Sequence, residues 1–241
     1  MSAYFIGTGF ILFASMSYNH YRKYQEDQLK DLYHSYPNKS EIFRQIHDKI
    51  AESWDNEMSD YEWAKRIDKY RKVLCSYAEG KVIEVGVGTG FNLEFYPLGI
   101  SLTGVDWSEN MLNVCKKKAK GMILVKMDAK HLDYSDNSFD TVIGTFTLSS
   151  SDEPEKIMAE MYRVCKEDGK ILILDRGKTE DILNTISLNM FRYKYLFQYG
   201  YDQCANISRI VSSVPAKVVV HERRQGGTIY FYILKKEKPN K

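Results

Sequence analysis

The sequence predicts an α/β fold with a mostly parallel sheet, and two patterns in the chain support this prediction. From residue 81 onward, short β-rich apolar runs alternate with helical stretches, the pattern of parallel strands joined by crossover helices. Near the end of the chain, two β-rich runs at residues 217–223 and 228–235 flank Gly226 and Gly227, a spacing typical of an antiparallel hairpin. We therefore expect five parallel strands closed by a reversed pair.

The individual elements follow from the same patterns. Residues 153–165 have apolar positions at helical spacing, with Asp152 as the expected N-cap and Glu155 three residues later. The five predicted parallel strands are residues 81–85, 101–105, 122–126, 139–144 and 170–174.

Composition fits one globular domain with an appendage. Of the 241 residues, 44% are apolar and 27% are charged, which is enough to build a buried core. The net charge of +2 argues against a protein that binds nucleic acid through bulk charge. Neither a zinc site nor a disulfide framework is indicated, because the four cysteines stand far apart with no C-x-x-C pair: Cys75, Cys115, Cys165 and Cys204.

Residues 1–19 contain no charged side chain and are predicted to form a membrane anchor. A helix of about 18 residues spans roughly 27 Å, slightly less than the ~30 Å hydrocarbon core. Arg22 and Lys23 follow the run, whereas a cleaved signal peptide carries its basic residues before the apolar run. The basic flank predicts that the body of the protein faces the cytosol or the mitochondrial matrix. The alternative is a buried N-terminal helix.

A charged helical stem, residues 20–53, is predicted to connect the anchor to the domain at residues 54–236. Ser40 is a candidate N-cap within the stem. We expect the following helix to dock on another element, because apolar residues recur on one narrow stripe at helical spacing: Ile42, Phe43, Ile46 and Ile50.

A glycine-rich turn follows the first predicted strand. Gly86, Gly88 and Gly90 stand at alternate positions, where the absence of a Cβ lets the backbone turn tightly and approach a ligand. A dinucleotide-binding fingerprint needs a glycine at position 91, which is Phe91, so dinucleotide binding is disfavoured. By itself, the pattern also suits a purely structural turn.

Three acidic residues stand near the carboxyl ends of successive predicted strands, which line the ligand crevice of a parallel sheet. Asp106 closes the second strand, where its carboxylate can accept two hydrogen bonds from a ribose diol. Asp128 follows the third strand and is positioned to accept from an adenine amino group. Glu84 precedes the glycines and is positioned to meet an α-ammonium group.

Four segments together resemble the successive motifs of class I S-adenosylmethionine-dependent methyltransferases. They are residues 84–90, 104–106, 127–129 and 139–143. The resemblance covers roughly residues 54–234. It implies a methyltransferase that uses S-adenosyl-L-methionine as cofactor, on a Rossmann-like seven-stranded sheet with a reversed terminal strand.

The resemblance also implies a role for each motif residue. The three glycines would pass along the methionine moiety, Asp106 would hold the ribose, and Asp128 with Ala129 would hold the adenine edge. Trp107 and Met111 would flank the adenine, while the backbone of Thr145 would approach the methionine end.

One further cofactor contact lies before the first strand. Trp54, followed by Asp55, resembles the aromatic–Asp pair that closes over the cofactor in the quinone-methylating branch of the family. The histidines show no metal-ligand spacing, so no metal is expected.

Residues 90–97 and 222–232 are similar to membrane-anchored members of the family. These members include a yeast mitochondrial inner-membrane methyltransferase-like protein and animal methyltransferase-like thiol methyltransferases of the endoplasmic reticulum. The resemblance implies a single-pass protein of the mitochondrial inner membrane whose catalytic domain faces the matrix. The second choice is the endoplasmic reticulum membrane, with the domain on its cytosolic face.

The predicted chemistry needs little from the protein, because a sulfonium is a good leaving group and positioning with desolvation can supply most of the catalysis. Asp175 and His221 are the candidate bases. Residues 144–149 lack the Asn/Asp-Pro-Pro-aromatic motif of amino-group methylases, and the Pro-Cys nucleophile of cytosine C5 enzymes is also missing. The expected acceptor is therefore a quinone intermediate, a thiol or a lipid head group, and a nucleic-acid partner is not expected.

Residues 175–213 are expected to cover the substrate with an apolar, aromatic-rich surface, for which ordinary helix packing is an equal alternative. A different functional class is also open at this stage. In that class the chain is a non-catalytic methyltransferase-fold assembly factor, or a subunit of a mitochondrial membrane complex.

Overall fold

The computed structural model describes residues 16–24, 26–27, 30–31 and 39–238. Most of the predicted anchor, residues 1–15, lies outside the described residues, and its last four residues belong to a helix over residues 16–24. Among the described residues, no helix combines the length and the apolar character that a membrane crossing requires.

Seven strands and six α-helices make up the body of the protein between residues 39 and 238, with short 3₁₀ turns at Leu93–Phe95 and Leu148–Ser150. The helices are α1 (Lys39–Lys65), α2 (Ile67–Cys75), α3 (Glu109–Lys118), α4 (Pro154–Val164), α5 (Ile182–Tyr199) and α6 (Ile207–Val211). The strands are β1 (Lys81–Val85), β2 (Ser101–Asp106), β3 (Ile123–Lys126), β4 (Phe139–Thr145), β5 (Cys165–Arg176), β6 (Lys217–Arg224) and β7 (Ile229–Lys235).

The strands form one sheet in the order β3-β2-β1-β4-β5-β7-β6. Strands β1 to β5 are parallel, and β7 is antiparallel to both β5 and β6. The predicted seven-stranded sheet with a reversed terminal strand is confirmed. The predicted antiparallel hairpin is confirmed as well: β7 runs against the first five strands, and β6, which pairs antiparallel to β7 at the sheet edge, points the same way as those five.

The core lies on both faces of the sheet, which explains why the central strands are continuous apolar runs rather than alternating ones. On one face, Ile83 and Val142 pack against α4. On the other face, Val82 and Ile143 pack against α2. Neighbouring residues of one strand point to opposite faces, so each strand contributes to both layers.

Two predicted helix caps are wrong. The helix predicted at residues 153–165 is α4, but its N-cap is Glu153, without a side-chain cap hydrogen bond. Helix α1 begins one residue before Ser40, so Ser40 does not cap it. Instead, the Ser40 hydroxyl donates a hydrogen bond of 2.6 Å to Asp152 Oδ1, which joins the start of α1 to the loop before α4.

Helix α1 runs continuously across the predicted boundary between stem and domain at residue 54. Its carboxylates fasten it to α3: Asp48 Oδ1 accepts a 2.6 Å hydrogen bond from the Oγ of Ser108, the N-cap of α3, and Asp55 pairs with Lys118 at the end of α3 at 2.6 Å. Residues 39–53 are therefore part of the domain. As predicted, the helix docks on another element, with Ile42, Phe43 and Ala51 buried at the contact.

Candidate functional site

A cavity lies at the carboxyl ends of β1, β2 and β4, beneath α1. From β1, the next two strands are added on one side of the sheet and β4 is added on the other side. The gap between β1 and β4 is therefore a topological switch point, where open α/β sheets bind ligands. Nine of the eleven residues predicted to bind the cofactor line this cavity: Trp54, Gly86, Gly88, Asp106, Trp107, Met111, Asp128, Ala129 and Thr145.

The other two predicted residues, Glu84 and Gly90, do not line the cavity. Glu84 is only 1% exposed, and its two carboxylate oxygens accept hydrogen bonds from Asn92 Nδ2 at 2.7 Å and the Tyr96 hydroxyl at 2.8 Å. A Cβ at Gly90 would collide with the side chain of Leu93. Both residues support the loop from within, and their predicted cofactor contacts stay predictions.

The glycine loop presents one position to open space. All three glycines have a positive φ, which glycine tolerates without strain. A Cβ at Gly86 would collide with Thr147, whereas a Cβ at Gly88 would meet no heavy atom within 4 Å. Gly88 is therefore the point where a ligand can pass close to the backbone.

Asp106 fixes both the glycine loop and the start of α3. Its Oδ2 accepts a 2.8 Å hydrogen bond from the Gly88 N–H, and its Oδ1 accepts one of 2.8 Å from the Ser108 N–H. Burial raises the pKa of Asp106 to about 6. Ser108 Oγ caps α3 by accepting from the Met111 N–H at 3.1 Å, which holds Met111 at the cavity wall.

Lys130 stands at the predicted adenine end and was not identified from the sequence. Its ammonium group is buried, lies 3.1 Å from Glu153 and 3.9 Å from Asp128, and sits 5.7 Å from the ring centre of Trp107. The Lys130 N–H also donates to Asp128 Oδ1 at 2.9 Å. The lysine thus orients two of the predicted adenine-binding residues.

Two arginines at the opposite end of the cavity were also missed. Arg71 Nη1 donates to Asn92 Oδ1 at 2.8 Å and to Thr145 Oγ1 at 2.9 Å. Arg176 ends β5 and lies against the ring of Phe146. A sequence signal existed for Arg176, which stands at the carboxyl end of a parallel strand like the acids. Arg71 has no such signal, because it is one of many basic residues in a charged region.

Neither candidate base, Asp175 or His221, lines the cavity. Asp175 is fully buried, and its carboxylate accepts 2.8 Å hydrogen bonds from the N–H groups of Leu148 and Arg176, which makes it a support for the loop after β4. His221 is exposed on the edge strand β6, where its ring stacks on Tyr232 at 4.2 Å. The hydrophobic pattern of the sequence did not reveal which strand-end carboxylates face inward.

The aromatic cover predicted over residues 175–213 divides between two roles. Tyr201 lines the cavity and stacks with Tyr195 and Tyr199, whose ring centres are 5.5 and 6.1 Å away. Met190 and Phe191 on α5 are instead partly exposed.

Glu84 gives the fold a pH dependence that the sequence does not reveal. Burial raises its pKa from the usual 4.5 to about 7, so between these values the folded state holds a proton that the unfolded state has lost. The stability from this site is full below pH 4.5 and falls by about 3 kcal/mol as the pH rises to 7. We expect Glu84→Gln to remove this fall. The free energy of unfolding of the variant should therefore rise relative to that of the wild type between pH 4.5 and pH 7, and the difference between the two proteins should be constant above pH 7. Urea unfolding without cofactor at stepped pH measures this difference, and parallel curves for the two proteins contradict the prediction.

Comparison with known proteins fits this geometry. A family model described as "Methyltransferase domain" matches residues 83–173. A demethylmenaquinone methyltransferase of Staphylococcus aureus is 34% identical over 178 residues, which cover 68% of this chain and 69% of that protein. The chain belongs to the class I S-adenosylmethionine-dependent methyltransferases. This methyltransferase uses S-adenosyl-L-methionine as its cofactor.

Other relatives of the methyltransferase differ in how much of their length it covers. A phosphatidylethanolamine N-methyltransferase of Cereibacter sphaeroides is 29% identical over 184 residues, covering 72% of this chain and 90% of that protein. The mitochondrial methyltransferase OMS1 of Saccharomyces cerevisiae is 25% identical over 211 residues, covering 78% of this chain but only 45% of the yeast protein. Among solved structures, a possible histamine N-methyltransferase of Thermotoga maritima matches with a TM-score of 0.64 at 22% identity, covering 81% of this chain and all of that one, and thus shares the fold.

Proposed function

We propose that this methyltransferase acts on a small apolar or lipid-like acceptor, namely a quinone intermediate, a thiol or a lipid head group, at a membrane surface. The observation that carries the proposal is an exposed apolar stripe on α5. This helix stacks two tyrosines against Tyr201 at the cavity. Ile182, Leu183 and Ile186 are 74%, 78% and 50% exposed. Three large aliphatic side chains on adjacent turns of one helix are a feature of proteins that contact membranes or other apolar partners.

Two kinds of relatives add support from their names. One is a phosphatidylethanolamine N-methyltransferase, whose named substrate is a membrane lipid, and several are demethylmenaquinone methyltransferases, whose named substrate is a quinone. In addition, apolar side chains such as Phe43, Met58 and Ile157 line the cavity, and they would exclude water from the transfer.

The cofactor is proposed to lie along the carboxyl ends of β1 to β3. When bound, it supplies an electrophilic methyl group on a sulfonium. Asp106 accepts hydrogen bonds from the ribose hydroxyls. Asp128 and Ala129 meet the adenine edge, and Trp107 and Met111 flank the faces of the adenine ring. This assignment fits the cavity, because all five residues line it.

The methionine end of the cofactor is proposed to pass the glycine loop. Gly88 gives it room, having no heavy atom within 4 Å of its missing Cβ, and Gly86 and the backbone of Thr145 border the methionine moiety. Trp54 closes the cavity from α1, where its ring contacts His47 and Tyr199 edge-on at 6.2 and 6.3 Å.

The acceptor class can be tested directly. Full-length protein incubated with methyl-labelled S-adenosyl-L-methionine and a membrane lipid extract should transfer label into the organic phase. The Gly88→Val variant serves as the negative control. Label that appears only in water-soluble products would contradict a lipid-like acceptor.

Membrane attachment is proposed to involve residues 1–19 as an anchor, supported by their lack of charged side chains and by the basic flank at Arg22 and Lys23. The mitochondrial inner membrane, with the domain in the matrix, is the first choice because the yeast relative is named a mitochondrial methyltransferase. The endoplasmic reticulum is the second choice.

We expect the full-length protein to resist carbonate extraction and a form lacking residues 1–19 to bind vesicles only weakly, through α5. In the shortened form, Ile182→Ser with Leu183→Ser should reduce vesicle partitioning by about tenfold or more, because two apolar side chains lose their burial in the bilayer. The matched control, Val73→Ser with Leu98→Ser, changes exposed residues on other elements and should leave partitioning unchanged. Release of the full-length protein by carbonate would contradict the anchor. If the protein resists extraction, protease protection establishes on which face of the membrane the domain lies.

A further inference from the structure

One buried lysine connects the start of α1 to the rest of the domain at the predicted adenine end of the cavity. The Lys130 side chain is only 8% exposed, and lysines are almost never buried to this degree unless they are paired. Its ammonium group donates a hydrogen bond to the hydroxyl of Ser40, in the first turn of α1. Ser40 is buried as well, and both residues line the cavity. The contact joins positions 90 residues apart in the chain.

Carboxylates on the body of the domain hold this ammonium group in place. Glu153, the N-cap of α4, lies 3.1 Å from it, and Asp152 and Asp128 each lie 3.9 Å away. Asp152 also accepts the 2.6 Å hydrogen bond from Ser40, so Lys130, Ser40 and Asp152 all contact one another. A cation that leaves water needs opposite charges and hydrogen bonds in place of its hydration. We call these three residues the α1 latch, because they fasten the start of α1 to the body of the domain.

Helix α1 forms one wall of the cavity. Phe43, His47, Trp54 and Met58 line the cavity from this helix, opposite the strand ends that carry the predicted cofactor residues. The middle of α1 is fastened to α3 through Asp48, whereas its first turn is held at the cavity by the α1 latch. The position of this wall at the adenine end therefore depends on one buried ammonium group.

We infer that Lys130 is a positioning residue that holds the start of α1 against the cavity and thereby limits how fast the cofactor enters and leaves. The inference rests on the proposed position of the cofactor in this cavity. All contacts of the latch join parts of the protein, so they form with and without the cofactor. Breaking them lowers the free energy of opening equally in both states, and the equilibrium affinity changes little. A residue that binds the cofactor itself would change the affinity instead.

The test is stopped-flow binding of S-adenosylhomocysteine to the full-length protein. The fluorescence of Trp54 and Trp107, which both line the cavity, reports the binding. We expect Lys130→Met to raise the association and the dissociation rate constants by about tenfold or more each, because a hydrogen bond from a charged donor no longer holds α1. The dissociation constant should change by less than about threefold. Thermal unfolding of the same samples verifies that the variant is folded.

Two further variants complete the test. Ser40→Ala removes the α1 side of the latch, decides the question if Lys130→Met does not fold, and should raise both rate constants by about fivefold or more. The double variant should exceed the faster single variant by less than about twofold, because both substitutions break the same contact. The matched control is Lys117→Met. It removes an exposed 3.1 Å ion pair between α3 and Glu52 of α1 and should leave both rate constants unchanged, since such surface pairs contribute little.

The latch and the proposed cofactor position fail in different ways. Unchanged rate constants in folded Lys130→Met or Ser40→Ala protein overturn the latch. A weaker affinity without faster association overturns it as well, because Lys130 would then belong to the cofactor site itself. The cofactor position is tested on the wild type with S-inosylhomocysteine, which lacks the adenine amino group and should bind at least about tenfold more weakly. Equal affinity for both compounds would refute the proposed adenine contact of Asp128, and the rate constants alone would then decide on the latch.

Discussion

Replacing Gly88 by valine is expected to abolish binding of S-adenosyl-L-methionine while the protein stays folded. No heavy atom lies within 4 Å of the position that a Cβ would occupy, so the added side chain enters the cavity itself. A β-branched residue at the observed φ of 54° adds a stability cost of about 1–2 kcal/mol. Calorimetry should show affinity reduced by more than about 100-fold.

Gly99→Val is the matched control for this experiment. Gly99 also has a positive φ, 86°, and open space around its missing Cβ, but it lies on an exposed loop before β2 and does not line the cavity. The control should lose similar stability and keep cofactor affinity. Normal binding by the Gly88→Val variant would make the glycine loop purely structural and remove the proposed cofactor position.

The second large effect is expected from Asp106→Ala, which should weaken cofactor binding by about 1.5–3 kcal/mol, or roughly 10- to 150-fold. The carboxylate is the proposed acceptor for the ribose hydroxyls, and it also holds the Gly88 N–H and the Ser108 N–H. Its loss therefore removes the proposed ribose contact and also the two hydrogen bonds that hold the glycine loop and the start of α3. Titration calorimetry and thermal unfolding of the same samples separate binding from stability.

Asp140→Ala serves as the comparison for Asp106→Ala. Asp140 also accepts a 2.8 Å hydrogen bond from a strand N–H, that of Lys81, but it stands at the amino ends of β1 and β4, far along the strands from the cavity. This variant should lose stability without losing cofactor affinity. An Asp106→Ala protein that is folded and binds the cofactor like the wild type would exclude Asp106 from the site.

Much of the site was predictable because strand ends in a parallel sheet are a local property of sequence. Gly88, Asp106 and Asp128 each follow a short β-rich run, and the sheet brings these ends to one edge whatever the details of packing. Glu84 also stands near the end of a strand but does not line the cavity. Glu84 stands one residue before the end of β1, and its side chain points into the protein, where its carboxylate accepts hydrogen bonds from Asn92 and Tyr96.

The sequence by itself determined the α/β class, the strand positions, the terminal hairpin and the glycine-and-acid motif of a methyltransferase, because all of these depend on near neighbours and on the period of apolar residues. Only the tertiary structure decided that α1 belongs to the domain, that Asp175 and His221 are not at the cavity, and that Arg71 and Arg176 meet at Phe146. The bond from Arg71 to Thr145 joins residues 74 positions apart. No local pattern encodes such a contact, since it depends on how helices and strand ends pack over the whole sheet.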